Sequence, residues 1–213
     1  MKKDLKVKYK SHIQRKFWFI AGTGLLIIIL GFIAISKGAA RISFFEVLGL
    51  LFGDTKSVHE QIILNIRLPR LLSAIFCGIA LSVSGAVMQS ILRNPLGSPF
   101  TLGISNAAAF GAAFAVIMFG AGSMQSSVSD SVLVNNPYLL TISAFIWSLF
   151  SAFIILLVAK IKGSSPENMI LTGIIIGSLF VSLTTGLQYM ADDVELAAIV
   201  FWTFGDLSRA SWS

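Results

Sequence analysis

The side chains that could do recognition chemistry sit at the two ends of one apolar run. Arg67-Leu68-Pro69-Arg70 opens it, 22 residues (71–92) follow, and Arg93-Asn94-Pro95-Leu96-Gly97-Ser98-Pro99 closes it. Guanidinium groups are planar, permanently charged forks that match carboxylates and phosphates. Gln89 and Asn94 stand about one helical turn apart. They are neutral amides of the kind that face a bundle interior or a wet cavity inside a membrane. Pro95 and Pro99 cannot donate backbone hydrogen bonds and Gly97 loosens the chain, so the backbone turns back between Leu92 and Phe100 with too little chain for an ordinary loop. These residue types suit docking and passage, not bond making.

The constellations of catalysis are missing from the sequence. There is no Ser/His/Asp or His-Glu-x-x-His arrangement and no phosphate-cradling Gly-x-x-x-x-Gly-Lys-Ser/Thr. His12 and His59 are isolated, so nothing has metal-ligand spacing. The single cysteine, Cys77, lies in the apolar run and permits no intrachain disulfide. The expectation is a protein with no catalytic residue, no metal and no cofactor.

The elements that position these residues are membrane helices. Mean hydropathy is +0.84, with 55% apolar and 12% charged residues, whereas soluble domains carry roughly a quarter charged. Solubility is excluded on that ground. A bilayer core needs about 20 apolar residues per helix. Spans are expected at 17–36, 71–92, 100–120, 138–159 and 169–190. A signal peptide is disfavoured for the first, because its apolar core would be shorter, about 7–15 residues. Residues 1–16 form a basic tail of seven cations against Asp4, expected in the cytoplasm. The 93–99 and 160–168 connections are then inside, and 37–70, 121–137 and 191–213 outside. Inside carries ten basic and two acidic residues, outside six and eight, the sign that topology rules require. The net charge of +6 therefore follows the membrane and is no signal for nucleic acid.

Segment 37–70 departs from this pattern with Lys37, Arg41, Lys56, Arg67 and Arg70. A longer loop escapes the charge rule, and arginines anchor to headgroups; a docking surface for an acidic partner is the other reading. Residues 42–52 have the pattern of a short interfacial helix. The 93–99 turn is either a tight connection at the headgroups or a broken segment that binds or gates. Gln188, near a span end, is a weaker passage candidate than Gln89.

Small residues recur at every fourth position where helices should touch. They are Ala74, Gly78, Ser82 and Ala86, then Gly103, Ala107, Gly111 and Ala115, then Gly173 and Gly177. Gly85 belongs to the first face. The fold class expected is an all-α polytopic membrane bundle of about five transmembrane helices, a single transmembrane domain. In the 160–168 connection Gly163 stops one helix, Ser165 caps the next, and Pro166 with Glu167 suits its first turn.

These residues resemble the FecCD-like permease subunits of binding-protein-dependent ABC importers for iron–siderophores, haem and cobalamin. The resemblance runs through Arg67-Leu-Pro-Arg70, Gly78, Ser84-Gly85-Ala86-Val87-Met88-Gln89, Asn94-Pro95-Leu96-Gly97-Ser98-Pro99 and Leu102-Gly103-Ile104. It is weaker at Leu171-Thr172-Gly173 and Trp202-Thr203-Phe204-Gly205. It implies that Arg67 and Arg70 dock glutamates of an external substrate-binding protein. Asn94 and Leu96, with Pro95, Pro99 and Gln89, would stand near a cytoplasmic gate, and Ser164 and Ser165 at a second constriction. The sequence there, Ser-Ser-Pro-Glu, and Asn106 where the family often has glycine, depart from the pattern. The implied partners are a second permease subunit in a homo- or heterodimer, two cytoplasmic ATPase subunits that hydrolyse ATP, the binding protein and the lipid bilayer, with no nucleic acid. The implied location is a prokaryotic cell (inner) membrane, multi-pass, N-terminus cytoplasmic, and the preferred cargo is an iron–siderophore. Family members usually carry about ten spans, so the chain reads as an N-terminal portion ending before the sixth span and the coupling helix. The alternative, an ATP-independent secondary transporter or channel using the 93–99 turn, would want intramembrane carboxylates or histidines; the five expected spans hold neither.

Overall fold

In hydrocarbon each backbone polar group needs an internal partner, and a helix supplies one within its own segment. The computed structural model describes residues 2–38, 42–43, 46, 49, 58–121, 137–163, 165–207, 210 and 212. Among them every regular element is helical: α1 (Lys2–Ser36), α2 (Val58–Ile62) with a π-helical stretch (Ile63–Arg67), α3 (Leu68–Leu92), α4 (Ile104–Phe119), α5 (Pro137–Lys162), α6 (Pro166–Met190) and α7 (Asp193–Phe204). The 42–52 helix expected from sequence falls mostly outside the described residues, as do Ser164 and most of 121–137.

Among the described residues four helices are long and apolar enough to cross a membrane: Tyr9–Ser36, Glu60–Leu92, Tyr138–Lys162 and Pro166–Met190. The segment 100–120 is helical only over the 16 residues of α4, about 24 Å at 1.5 Å per residue, against a hydrocarbon core of about 30 Å. Its N-cap, Gly103, is left-handed (φ 68°), and residues 93–103 before it run as turns and coil. Segment 191–213 is not plain chain either. Asp192 accepts from the Val194 and Glu195 N–H groups at 3.0 and 2.7 Å, and Glu195 accepts from the Asp192 N–H at 3.1 Å. This reciprocal capping box starts α7.

The chain forms two compact units, residues 1–77 with 207–213 and residues 78–206. In the first, α1 presents Phe17, Trp18, Phe19 and Ile20 outward, an arrangement that lipid solvates as well as protein would. A small core joins Ile42 and Ile63 to Phe32, Ile35 and Ile62.

In the second unit α4 is the hub, packed on α5, α6 and α7. Ala107, Ala113, Ala115 and Val116 have no exposed surface, as expected of a helix apolar on all sides. Phe110 meets Trp147 of α5 edge-on at 4.8 Å and Phe180 of α6 at 5.4 Å, inside a core that also holds Leu92, Leu102, Ile155 and Ile176. A second cluster sets Val116 and Leu140 against Ala198 and Ile199 of α7. The outer faces of α5 and α6 expose Phe145, Ile146, Phe153, Ile174 and Ile175.

Candidate functional site

The arginine end is shaped by Pro69. It has no N–H, and its ring collides with the carbonyl four residues back, that of Asn65. The helix widens ahead of it into the π turn, where the Leu68 N–H reaches the Ile63 carbonyl. In that register the Leu64 carbonyl would await Pro69, which has nothing to donate. The Trp212 indole Nε1–H donates to Leu64 instead, at 2.6 Å.

Arg67 closes the π turn half-buried, and its Nη1 donates to the Ile35 carbonyl. That oxygen belongs to the last turn of α1, whose final carbonyls have no partner within the helix. A guanidinium there also opposes the negative end of the helix dipole. Arg70 is exposed. Lys37, Arg67 and Arg70 line one cavity of about 490 Å³ with apolar walls that include Ile66, Leu71 and Ala74. Carboxylate or phosphate recognition is the chemistry this cavity offers.

At the other end, α3 stops in a Schellman arrangement. Arg93 is left-handed (φ 46°); its N–H donates to Ser90 O at 3.4 Å, and the Asn94 N–H to Gln89 O at 3.2 Å. Two proline-led turns follow. Gly97 N–H closes the first on Asn94 O at 3.0 Å, while Leu96 N–H donates to Asn94 Oδ1 at 2.9 Å. Thr101 N–H closes the second on Ser98 O at 3.0 Å. The Thr101 hydroxyl accepts from Ser98 N–H at 3.1 Å and donates to Ser98 O at 2.6 Å. Asn or Ser first and Pro second is the chemistry such turns favour. The broken segment thus satisfies much of its backbone locally. Gly97 is buried; a methyl on it would stand 3.1 Å from both Asn94 O and Leu92 Cδ1, so the first turn lies down on the end of α3. Pro95 and Leu96 are exposed, Asn94 and Pro99 half-buried, and the Gln89 side chain exposed.

One feature has little sequence signal. Residues 101–103 settle on Gly173 and Gly177 of α6, and beside that contact Thr101, Asn106, Ser178 and Ser182 line a groove of about 420 Å³. Its only trace in the sequence is the pair Ser178 and Ser182, one turn apart and offset from the two glycines. Gly111 makes a comparable close approach to α5. Gly78 and Gly85, expected on a packing face, would each carry a methyl with no atom within 4 Å of it. Ser165 caps α6, accepting from Asn168 N–H at 3.3 Å. Among the described residues no three His, Cys, Asp or Glu side chains gather to hold a metal ion.

A helical, multi-pass membrane protein is the class this architecture defines. The chain belongs to the FecCD transport family, whose profile matches residues 26–213. It is 47% identical over 99% of its length to a protein of Methanocaldococcus jannaschii named as an ABC transporter permease, covering 60% of that relative. It is 31% identical over 96% of its length to the iron(3+)-hydroxamate import system permease protein of Bacillus subtilis, covering 59%. A solved structure described as an inward-facing metal-chelate type ABC transporter superposes with a TM-score of 0.70 at 29% identity, over 91% of this chain and 55% of that one. The chain thus spans about 60% of the length of these curated relatives.

Proposed function

We propose that the chain is permease sequence of a binding-protein-dependent ABC importer that carries a metal chelate inward, with an iron–siderophore as the preferred cargo. The observation that carries this reading is the family match over residues 26–213, joined to relatives named as permeases along nearly the whole chain. The N-terminus and the 93–99 and 160–168 connections are cytoplasmic, and the arginine cavity faces outward. Arg67 and Arg70 receive acidic side chains of the external binding protein, for which fork-shaped cations beside an apolar wall, half-buried at Arg67 and exposed at Arg70, are suited. Gln89, Asn94, Pro95, Leu96 and Pro99 stand near the inner gate, with Ser164 and Ser165 at a second constriction. A second permease subunit and two ATPase subunits complete the importer. The permease subunit itself does no chemistry.

The test is uptake of an iron(III)–hydroxamate labelled with radioactive iron, in cells whose own copy of the gene carries Arg67→Glu and Arg70→Glu. Binding-protein-dependent uptake is expected to disappear while the permease remains in the membrane. Undiminished uptake, with undiminished affinity for the binding protein, overturns the docking assignment.

A further inference from the structure

We propose that Gly38 is a positioning residue for docking: with the Ile35 carbonyl it forms a seat that holds the Arg67 guanidinium in place before a partner arrives. The inference rests on the docking reading above and adds a residue that takes no part in binding itself.

The geometry is specific. A methyl on Gly38 would stand 2.8 Å from Arg67 Nη2, 3.1 Å from Cζ and 3.5 Å from Nε. The guanidinium therefore lies directly over the Gly38 backbone, while its Nη1 donates to the Ile35 carbonyl. Two independent contacts at the end of α1 fix one long side chain, and both lie within a single compact unit. Gly22 and Gly24, earlier on α1, have nothing within 4 Å, so proximity of this kind is not a general property of its glycines.

The backbone at Gly38 lies outside the left-handed region, so alanine fits there without strain. What must yield to the new methyl is the far end of a flexible side chain, not a neighbouring backbone. Gly38→Ala should thus leave the fold standing and displace the guanidinium. A docking arginine held in advance loses less rotamer freedom on association than a free one. Removing the seat should weaken docking by about tenfold, the order set by immobilising one such side chain.

Two readouts separate the possibilities. The first is modification of the full permease in membranes by phenylglyoxal, followed by peptide mass spectrometry. Gly38→Ala should raise the rate at Arg67 several-fold and leave Arg70 unchanged. The second is affinity for the purified iron(III)–hydroxamate-binding protein of the same organism, measured for Gly38→Ala, Arg67→Ala, Arg70→Ala and the Gly38/Arg67 double variant. The tenfold loss should vanish when Arg67 is already alanine, and Gly22→Ala should lose nothing. Unchanged Arg67 reactivity in Gly38→Ala overturns the seat. So does an equal loss of affinity in the Arg67→Ala background, because that would mark a merely structural glycine. Should Arg67→Ala and Arg70→Ala both leave affinity intact, the docking reading falls, and the phenylglyoxal rates still decide whether the seat exists.

Discussion

Gly103 and Gly177 meet backbone to backbone: a methyl on Gly103 would stand 2.6 Å from the Gly177 Cα and 2.8 Å from its nitrogen. Gly103 carries a second constraint, since its φ of 68° is one that side-chain-bearing residues rarely adopt. One residue thereby ends the proline-led turns, starts α4 and seats both on α6. Gly173 completes the contact from the α6 side, where a methyl would stand 2.6 Å from the Leu102 Cα. Van der Waals packing of this closeness holds membrane helices together where no hydrophobic force distinguishes protein from lipid.

Gly173→Ala should therefore cost about 1–3 kcal/mol, the range for overfilling a packed interior that cannot give by rotating a side chain. Gly186→Ala is the control on the same helix, because no atom lies within 4 Å of the added methyl; its effect should stay within about 0.5 kcal/mol. Unfolding of both variants in mixed detergent and SDS micelles gives the comparison. Equal losses at the two positions would remove the close approach as the cause.

The α4–α5 contact separates packing from hydrogen bonding. Ser143 Oγ donates to the Gly111 carbonyl at 2.6 Å in a buried setting, and a methyl on Gly111 would stand 2.7 Å from Ser143 O and 2.8 Å from the Ala144 Cα. Interhelical hydrogen bonds in membranes are worth about 0.6 kcal/mol on average, so Ser143→Ala should lose about that much. Gly111→Ala should lose about 1–3 kcal/mol. The same micelle titration decides the order; a larger loss at Ser143 would reverse the weighting.

Much of the fold is legible in the sequence, for reasons that differ between elements. The helical membrane bundle follows from hydropathy, because twenty apolar residues leave the backbone few alternatives. The 173/177 and 103/111 glycines are readable as close approaches because lipid makes small residues the natural contact. Gly78 and Gly85 follow the same pattern, yet a methyl on either would meet nothing within 4 Å. A small face therefore says where a helix can be approached and not by what. The groove with Ser178 and Ser182 is hidden because its other wall comes from Thr101 in a turn and Asn106 at the start of α4, roughly 70–80 residues earlier in the chain. The capping box of α7 is written in Asp192 and Glu195, whose charges draw attention to sidedness instead. The Arg67–Ile35 bond has no sequence signal, since it depends on a π turn that Pro69 alone does not announce.

That π turn makes a coupled prediction. Trp212→Phe deprives the Leu64 carbonyl of its donor and should cost about 1 kcal/mol, the net worth of an ordinary hydrogen bond. Pro69→Ala restores an N–H one turn away and offers the same helix segment a regular ladder. In the Pro69→Ala background the Trp212→Phe cost should shrink, so the two changes are non-additive. A double-mutant cycle on unfolding free energy measures the coupling. Strict additivity would mean that the indole and the proline act independently.

Arg93 is the remaining point of strain. It holds φ at 46° at the end of α3, where a left-handed residue costs roughly 1–2 kcal/mol unless it is glycine. Arg93→Gly should accordingly stabilise the fold by about 1 kcal/mol, allowing for the favourable interaction lost between a cation and the helix C-terminus. Arg93→Ala keeps the strain and loses the charge, so it should destabilise by a few tenths of a kcal/mol. Uptake of the labelled hydroxamate separates two uses of the arginine. If Arg93→Gly is more stable yet transports less, the guanidinium holds its strained place through function. Undiminished transport in the stabilised variant would leave the residue only a topological role, that of a basic charge of the kind that biases a short loop toward the cytoplasm.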